Sequence, residues 1–373
     1  MLRIQENRLP LPDTLIESLS ATEQNPRYHA EGNVYNHTLL VLEQFFQHHQ
    51  RFNLSEEEKE ILYWVAILHD IGKPSVTKWQ KGRWTSHGHE KAGVPLAREI
   101  LLSESEVSPE DRRQILDLIR WHNAPLRWVI RQQTGAALQN MASQVNLRLL
   151  GIFAYFDIMG RICERKSEII DGIEALNDIH IPKVESEIGS YAALQKVYLN
   201  ASLQKKNALW SAQKQNDPRL LQKLLQSEDD CSMQRTHLQC VMGLGAGGAA
   251  QSEYLQQYYP SHLYYRLDEL FTEGENKQQR RNKMREVKRF LSVYLRGRRN
   301  VVLDCQGLNE KDRREIGEFV RQNNSQLHYV FFERSLKALT QKASDEEEVQ
   351  KITQAYQQLI LPHPWEAHTM EIV

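Results

Sequence analysis

Apolar residues recur at helical spacing through the first half of the chain and gather into short runs in the second. Over residues 37–48, Leu39, Leu40, Leu42, Phe45 and Phe46 line one helical face. Residues 56–68 predict a second helix: Ser55 followed three positions later by Glu58 is a capping box, and Gly72 and Pro74 end the segment. Residues 90–102 predict a third helix. A fourth covers 109–121, with Ser108 as cap and Pro109 at the first helical position, where the missing N–H costs nothing. Residues 146–165 read as a long, largely apolar helix. Residues 77–85, between the second and third helices, read as a small hairpin turning at Gly82.

From residue 185 to 235 the chain turns polar and rich in Gln, Lys and Ser, which predicts a partly helical connector. Beyond it, apolar runs at 238–242, 263–267, 301–303 and 327–332 alternate with helical stretches. That alternation predicts a parallel sheet flanked by helices. Three segments result: a helical domain over 1–184, the connector over 185–235, and an α/β domain over 236–373.

Composition narrows the possibilities. A chain of 373 residues is long enough for two cored domains, and 40% hydrophobic with 25% charged residues is ordinary for a globular protein. The formal net charge is -1, so no global field draws the molecule to nucleic acid or membrane, and a polyanion site has to be local. No apolar run is long enough to span a bilayer, and the N-terminus lacks the apolar core of a signal peptide. Cys163, Cys231, Cys240 and Cys305 show neither metal spacing nor a disulfide framework, and they read as reduced thiols of a cytoplasmic protein. No internal repeat is evident.

The chemistry concentrates at Ala66-Ile67-Leu68-His69-Asp70-Ile71-Gly72-Lys73-Pro74. A His-Asp doublet at the end of an apolar helix sets an imidazole beside a carboxylate, ready to share a cation. His37 precedes it; His89, His122 and Asp157 follow. Such a His-rich set suits a divalent first-row metal better than calcium or a purely Mg²⁺ site. Six ligands suffice for two ions bridged by one carboxylate, Asp70 being the natural bridge. A pair of ions makes hydroxide available near neutral pH and clamps phosphoryl oxygens during in-line attack. Lys73, within one turn of the doublet, is read as stabilising charge on the attacked phosphate. Arg161, near Asp157, joins Asp70 and Lys73 as a catalytic candidate. With Lys78, Lys81 and Arg83, Arg161 can gather a nucleic-acid backbone, although solvated charge is the simpler account of the hairpin residues. His29 and His87 lie beside these motifs without matching a ligand position and are read as non-ligands.

The order of these pieces resembles the HD-domain phosphohydrolase superfamily. The resemblance rests on residues 31–38 around His37, the His69-Asp70-Ile71-Gly72-Lys73 run, Gly88-His89-Glu90-Lys91-Ala92-Gly93, Arg120-Trp121-His122-Asn123, and Asp157 before Gly160-Arg161-Ile162-Cys163. It covers roughly residues 28 to 165. The resemblance implies an all-α HD domain with His37, His69, Asp70 and Asp157 on one metal, and His89 and His122 completing a second. The cofactor it implies is a pair of divalent transition-metal ions drawn from Mn²⁺, Fe²⁺, Co²⁺ or Ni²⁺. The Gly-Tyr-Pro signature of the cyclic-dinucleotide branch is absent after the doublet.

A second motif follows the run at 238–242. Gly243-Leu244-Gly245-Ala246-Gly247-Gly248-Ala249-Ala250 has the position and spacing of a phosphate-binding loop, G-x-x-x-x-G-K-[ST]. Ala249 stands where lysine would reach the terminal phosphates, and Ala250 where a hydroxyl would hold Mg²⁺. The glycine backbone can still present amides to an anion. The C-terminal half resembles the kinase module of bacterial HD-domain polynucleotide kinases, a family of RNA end-healing enzymes. The resemblance implies an α/β P-loop kinase-like domain with a parallel sheet. It makes Asp268 the surviving general base, puts Phe271 where an arginine is expected, and leaves the lid over 339–344 without the family's arginines. The tail 364–368 also follows the family. These departures predict an inactive kinase, with no ATP expected.

The reading that emerges is a metal-dependent phosphoesterase acting on RNA 2′-phosphate or 2′,3′-cyclic phosphate ends, joined to a degenerate kinase module. Its expected partners are RNA ends, together with a second copy or a protein partner through the kinase-like domain, and no membrane. Two alternatives stay open: hydrolysis of free nucleotides at the same site, and a nucleotide-sensing or partner-binding pseudoenzyme.

Overall fold

A computed structural model of the protein describes residues 9–132, 138–139, 141–142, 144–215, 217–227, 238–247, 249–267, 276–306, 308–341, 343, 345–363 and 366–373. The chain divides into two compact units, Met1–Ala193 and Leu194–Val373.

The first unit is helical apart from the hairpin of β1 (Lys78–Gln80) and β2 (Arg83–Thr85). Its centre is the helix Leu147–Gly160, largely apolar and, apart from Arg148 and Met159, buried, as a helix of that composition has to be. Val34–His48 and Glu56–Leu68 pack against it. Local chemistry sets the helix ends. Ser55 and Glu58 close the capping box reciprocally. Ser108 caps Pro109–Trp121 by accepting the Asp111 N–H. Asn33 accepts the Asn36 N–H and starts its helix at Val34, three residues before the first expected position.

The central helix stops at Gly160, short of the expected residue 165, because the chain is pulled aside there. Arg161 takes extended backbone and reaches back to Asp157, the Ile162 carbonyl accepts the Ala30 N–H, and a new helix begins at Lys166. Gly160 also touches Val41 so closely that a Cβ would come within 2.8 Å of its backbone nitrogen. The hairpin turns through Lys81 and Gly82, both at positive φ, the geometry that matches the twist of a two-residue β-hairpin.

In the second unit, the polar stretch expected to be a partly helical connector carries the helices Leu203–Lys214 and Pro218–Gln226, which bury Leu209, Ala212 and Leu221. A five-stranded sheet follows: β3 (Gln239–Gly245), β4 (Leu263–Arg266), β5 (Val301–Gln306), β6 (Gln326–Phe331) and β7 (Thr369–Ile372). The strand order is β4-β5-β3-β6-β7 and every pair is parallel. Parallel neighbours require crossovers, and each successive pair of strands has at least one helix between its members. Val241, Leu255, Val302 and Val330 form one fully buried cluster, with Tyr254, Tyr264 and Phe332 packed on it. β3 extends to Gly245 rather than ending at 242. Gly243 belongs inside the strand because Leu255 lies over it, where a Cβ would meet the leucine side chain at 2.4 Å. β7 was not anticipated by the apolar runs.

An all-α domain followed by an α/β domain with a parallel sheet is therefore the architecture. β3 has β5 on one side and β6 on the other, so connections leave the two sides in opposite directions at its carboxyl end. That switch point is where open α/β sheets bind ligands.

Candidate metal centre

Four of the six predicted ligands are drawn around a fifth, the Asp70 carboxylate. His69 caps the helix Glu56–Leu68, and Asp70 follows in the turn. His89 opens the helix His89–Glu104, His122 caps Pro109–Trp121, and His37 sits in the first turns of Val34–His48. Asp70 Oδ1 lies 3.1 Å from His89 Nε2 and 3.7 Å from His122 Nε2, while Oδ2 lies 3.3 Å from His69 Nε2 and 3.7 Å from His37 Nε2. Asp70 thereby belongs to two triads, with His37 and His69 and with His89 and His122, whose ligand atoms lie within 4.8 Å of one another. Asp157 reaches the set through His37, its Oδ1 being 3.0 Å from His37 Nε2. All six side chains are buried.

Close packing holds this arrangement together. A Cβ at Gly72 would strike the His89 carbonyl oxygen at 2.2 Å and the Gly93 nitrogen at 2.4 Å, so glycine is required where the Asp70 turn meets the His89 helix.

The hydrogen bonds decide which nitrogen faces inward. His69, His89 and His122 place Nδ1 at 3.1, 2.7 and 2.7 Å from the carbonyls of Ala66, Ser86 and Ile119. A carbonyl only accepts, so each Nδ1 carries the hydrogen and each Nε2 presents a lone pair. His37 differs, with a carboxylate at each ring nitrogen: Asp157 Oδ1 lies 3.0 Å from Nε2 and Glu31 Oε1 2.9 Å from Nδ1, so Nε2 carries a hydrogen until a cation displaces it. Three lone pairs and an ionised carboxylate then face one another. Among the described residues, His69 Nε2 and Asp70 Oδ1 are buried with no hydrogen-bond partner, and His89 Nε2 and His122 Nε2 stand 3.2 Å apart. The Asn123 amide, with two hydrogens, is placed among three acceptors: those two nitrogens and Glu90 Oε1. Converging acceptors with too few donors are what a divalent cation satisfies, and the nitrogen–carboxylate set fits a first-row metal.

Charges around the centre keep it ready for a cation. Burial pushes the Asp70 carboxyl up, but Lys73 and His69 outweigh it and hold it well below the usual carboxylate range. Asp157 behaves likewise under Arg161 and His37. His122 is pushed down to about 3 by burial, with His89 and His69 adding to the effect, so it stays neutral. Burial also lowers His37, but Asp157 and Glu31 reverse the sign and raise it. Lys73 Nζ is 2.6 Å from both Asp70 Oδ2 and Gln24 Oε1. Arg161 grips Asp157 through two bonds of 3.1 and 2.5 Å.

Glu31 and His29 lay outside the expected set. Glu31 Oε1 is 2.8 Å from His29 Nδ1 as well as 2.9 Å from His37 Nδ1, and its Oε2 accepts the Ile162 N–H at 2.9 Å. His29, expected to be uninvolved, is buried against His37 with ring centroids 4.7 Å apart. Both lie in a loop, where no periodicity marks them; the only trace in sequence is an acidic residue six positions before His37. A cleft of about 550 Å³ opens over the centre, lined by Asp70, Lys73, His89 and Arg161 at its polar end. His29 and His87 also line it.

The glycine-rich loop is differently furnished. Gly243 and Gly245 lie in β3, Gly247 has a φ of 112°, and Ala249 and Ala250 open the helix Ala249–Tyr258. Gly248, Asp268 and Phe271 fall outside the described residues, as do Lys342 and Ser344 of the expected lid. Beyond the two alanines, Gln251 and Ser252 reach Asp304 on β5. Gln251 Nε2 donates to Asp304 Oδ1 at 2.6 Å, and Ser252 Oγ and the Tyr264 hydroxyl both donate to Oδ2 at 2.5 Å.

Comparison with known proteins agrees with the geometry. Residues 34–155 match the HD domain family. Over 108 residues, 29% of the chain, the sequence is 32% identical to the multifunctional CCA protein of Halorhodospira halophila (strain DSM 244 / SL1) and covers 23% of that protein. The chain thus matches less than a quarter of the length of this curated relative. The helical unit carries an HD domain, the signature of a metal-dependent hydrolase. Glu31, His29, Asp157 and Arg161 lie outside the matched span. No helix among the described residues is long and apolar enough to cross a membrane.

Proposed function

We propose that the helical unit is a metal-dependent phosphohydrolase acting on RNA ends that carry a 2′-phosphate or a 2′,3′-cyclic phosphate, and that the α/β unit is an inactive relative of a polynucleotide kinase. The carrying observation is the set of buried acceptors around Asp70, with His69 Nε2 and Asp70 Oδ1 unpartnered. His37, His69, Asp70 and Asp157 would hold one divalent ion, and His89 and His122 with Asp70 a second. Bound there, the ions supply Lewis-acid polarisation of the phosphoryl group and a nucleophile at neutral pH.

The chain's own residues do the rest. Lys73, fixed by Gln24 and Asp70 and facing the cleft, offsets charge on a non-bridging phosphoryl oxygen. Arg161 spends two donors on Asp157 and has others for the phosphate, being both a positioning residue for that ligand and a wall of the cleft. Water attacks phosphorus, the P–O3′ bond breaks, and O3′ takes a proton, leaving a 2′-phosphate. A second attack breaks the P–O2′ bond and releases inorganic phosphate.

RNA as substrate and the inactive kinase rest on the resemblance of the C-terminal half to HD-domain polynucleotide kinases, supported by Ala249 and Ala250 at the helix start and by the absorption of Asp304 into internal hydrogen bonds. Incubation with Mn²⁺ and RNA ending in a 2′,3′-cyclic phosphate tests the reading. Ring opening followed by phosphate release supports it, as does the absence of transfer from ATP to a 5′-hydroxyl. An inert RNA end alongside rapid release from a free nucleotide replaces it with the nucleotide reading.

A further inference from the structure

The cleft over the metal centre is far larger than a phosphate requires, and its outer wall is built of different groups from its floor. At about 550 Å³ it has the capacity of pockets that enclose nucleotide-sized ligands. Away from Asp70 and His89, its lining turns aromatic, aliphatic and cationic: Tyr28, Arg83, Trp84, Arg127 and Ile130. Tyr28 and Ile130 are 47% and 59% exposed, an apolar expenditure at the mouth of a polar site that the chemistry at Asp70 does not explain.

We propose that this wall, centred on Trp84 and Arg83 of the β1–β2 hairpin, is a nucleobase platform with an adjoining phosphate contact, so that the site takes the terminal base and the next upstream phosphate of a single-stranded nucleic acid. The inference rests on the phosphohydrolase reading and gives it a substrate shape. Four observations carry it. Trp84 pairs directly across the hairpin with Trp79, ring centroids 5.2 Å apart and edge to face, so its ring is braced. The turn at Lys81 and Gly82 takes the positive φ that matches the strand twist and sets the register that brings Trp84 opposite Trp79. The hairpin is also tied to the metal centre. Thr77 and Ser86 hydroxyls close its base at 2.7 Å, and the Ser86 carbonyl, two residues from Trp84, holds His89 Nδ1 at 2.7 Å. Arg83 follows the turn exposed, and Arg127, half-exposed, makes a long 3.4 Å contact with Glu90 through one nitrogen, so both cations keep donors for an anion. Aromatic faces that accept any base, beside cations that follow the backbone, are how single strands are held.

The test uses the full-length protein stripped of metal, so that nothing turns over, and a labelled short oligoribonucleotide ending in a 2′-phosphate, followed by fluorescence anisotropy. Trp84→Ala weakens binding about tenfold, the loss of one stacked base, while Trp84→Phe stays near wild type. Arg83→Ala weakens the oligonucleotide about threefold and flattens its salt dependence, but leaves a mononucleotide 2′-phosphate unchanged. Circular dichroism confirms that each variant is folded. Wild-type affinity in both Trp84→Ala and Arg83→Ala overturns the platform. With Mn²⁺ restored, the ratio of kcat/KM for the oligonucleotide to that for glycerol 2-phosphate drops about tenfold in Trp84→Ala. Trp84-dependent binding without hydrolysis of any ester removes the hydrolase reading and leaves the platform. Hydrolysis indifferent to Trp84 does the reverse.

Discussion

Asp70, in the His-Asp doublet, and Asp304, paired across the sheet with Gly243 of the glycine-rich run, are both buried aspartates, and their surroundings are opposites. Asp304 sits among donors: the Gln251 amide takes one oxygen, and the Ser252 and Tyr264 hydroxyls take the other. Asp70 has Lys73 on Oδ2, while Oδ1 faces imidazole nitrogens whose hydrogens point the other way. A carboxylate ringed by donors has completed its hydrogen bonding within the fold and has nothing further to offer a ligand. A carboxylate ringed by lone pairs is costly until a cation arrives, because each unpaired buried acceptor carries its desolvation penalty. Two motifs that look equally ligand-like on paper are separated by the direction of a few hydrogen atoms.

Substitution tests the contrast most severely at its centre. Asp70→Asn removes the carboxylate shared by both triads and is expected to cut hydrolysis on the order of 10³-fold and to halve metal content or worse, read by elemental analysis of the purified protein. Retention of both metal and rate by that variant would remove Asp70 from the chemistry. Glu31→Gln keeps the shape of the side chain that orients His37 but weakens the acceptor, and metal affinity is expected to fall 10- to 100-fold, measured by competition with a chromogenic chelator. Asp304→Asn places an amide among three donors, and the α/β unit is expected to lose about 2 kcal/mol, seen in thermal melts, with metal content and hydrolysis unchanged. A loss of hydrolysis there would mean that the two aspartates are not as separate as their hydrogen bonds indicate.

Acid gives the mildest version of the same test. His122 titrates near 3 when folded against 6.5 in its ordinary state, so the unfolded chain binds the extra proton and the metal-free helical unit loses stability as pH falls from 6.5 toward 3. In the α/β unit, burial raises Glu366 but the Arg313 guanidinium, bonded to it at 2.8 and 3.0 Å, brings it down to about 2 from 4.5. Its contribution is lost only below 4.5, as the carboxylate takes up a proton. Calorimetry in chelator across pH 7 to 4 is expected to show both units melting earlier, since burial also lowers His262 and His328 of the α/β unit. The larger shift is expected in the helical unit, where the more deeply buried His29 and His122 are lowered; saturating Mn²⁺ narrows the gap by binding the folded form.

What the sequence made legible follows the same division. The His69-Asp70 doublet, His37, His89 and His122 were readable because each sits at or near a helix end, where caps, prolines and apolar spacing mark the position. Glu31, His29 and Gln24 were not, since they lie in a loop whose path depends on distant partners, Ile162 for Glu31 and Lys73 for Gln24. The glycine run was legible as a motif but not in its depth: Gly243 lies within β3 under Leu255, and the polar contacts of the helix start come from Gln251 and Ser252. The polar composition of 203–226 concealed three helix-borne core residues, Leu209, Ala212 and Leu221, too widely spaced to stand out.

The contact between Gly72 and Gly93 makes the separation of Asp70 from His89 a manufactured tolerance. From the Gly72 side it admits no shim at all, whereas a methyl at Gly93 would meet the Gly72 nitrogen at 3.3 Å and the Ile71 side chain at 3.4 Å, asking for a few tenths of an ångström. Gly93→Ala is therefore a gauge block for ionic radius, expected to reorder affinities between smaller and larger divalent ions without dismantling the donor set.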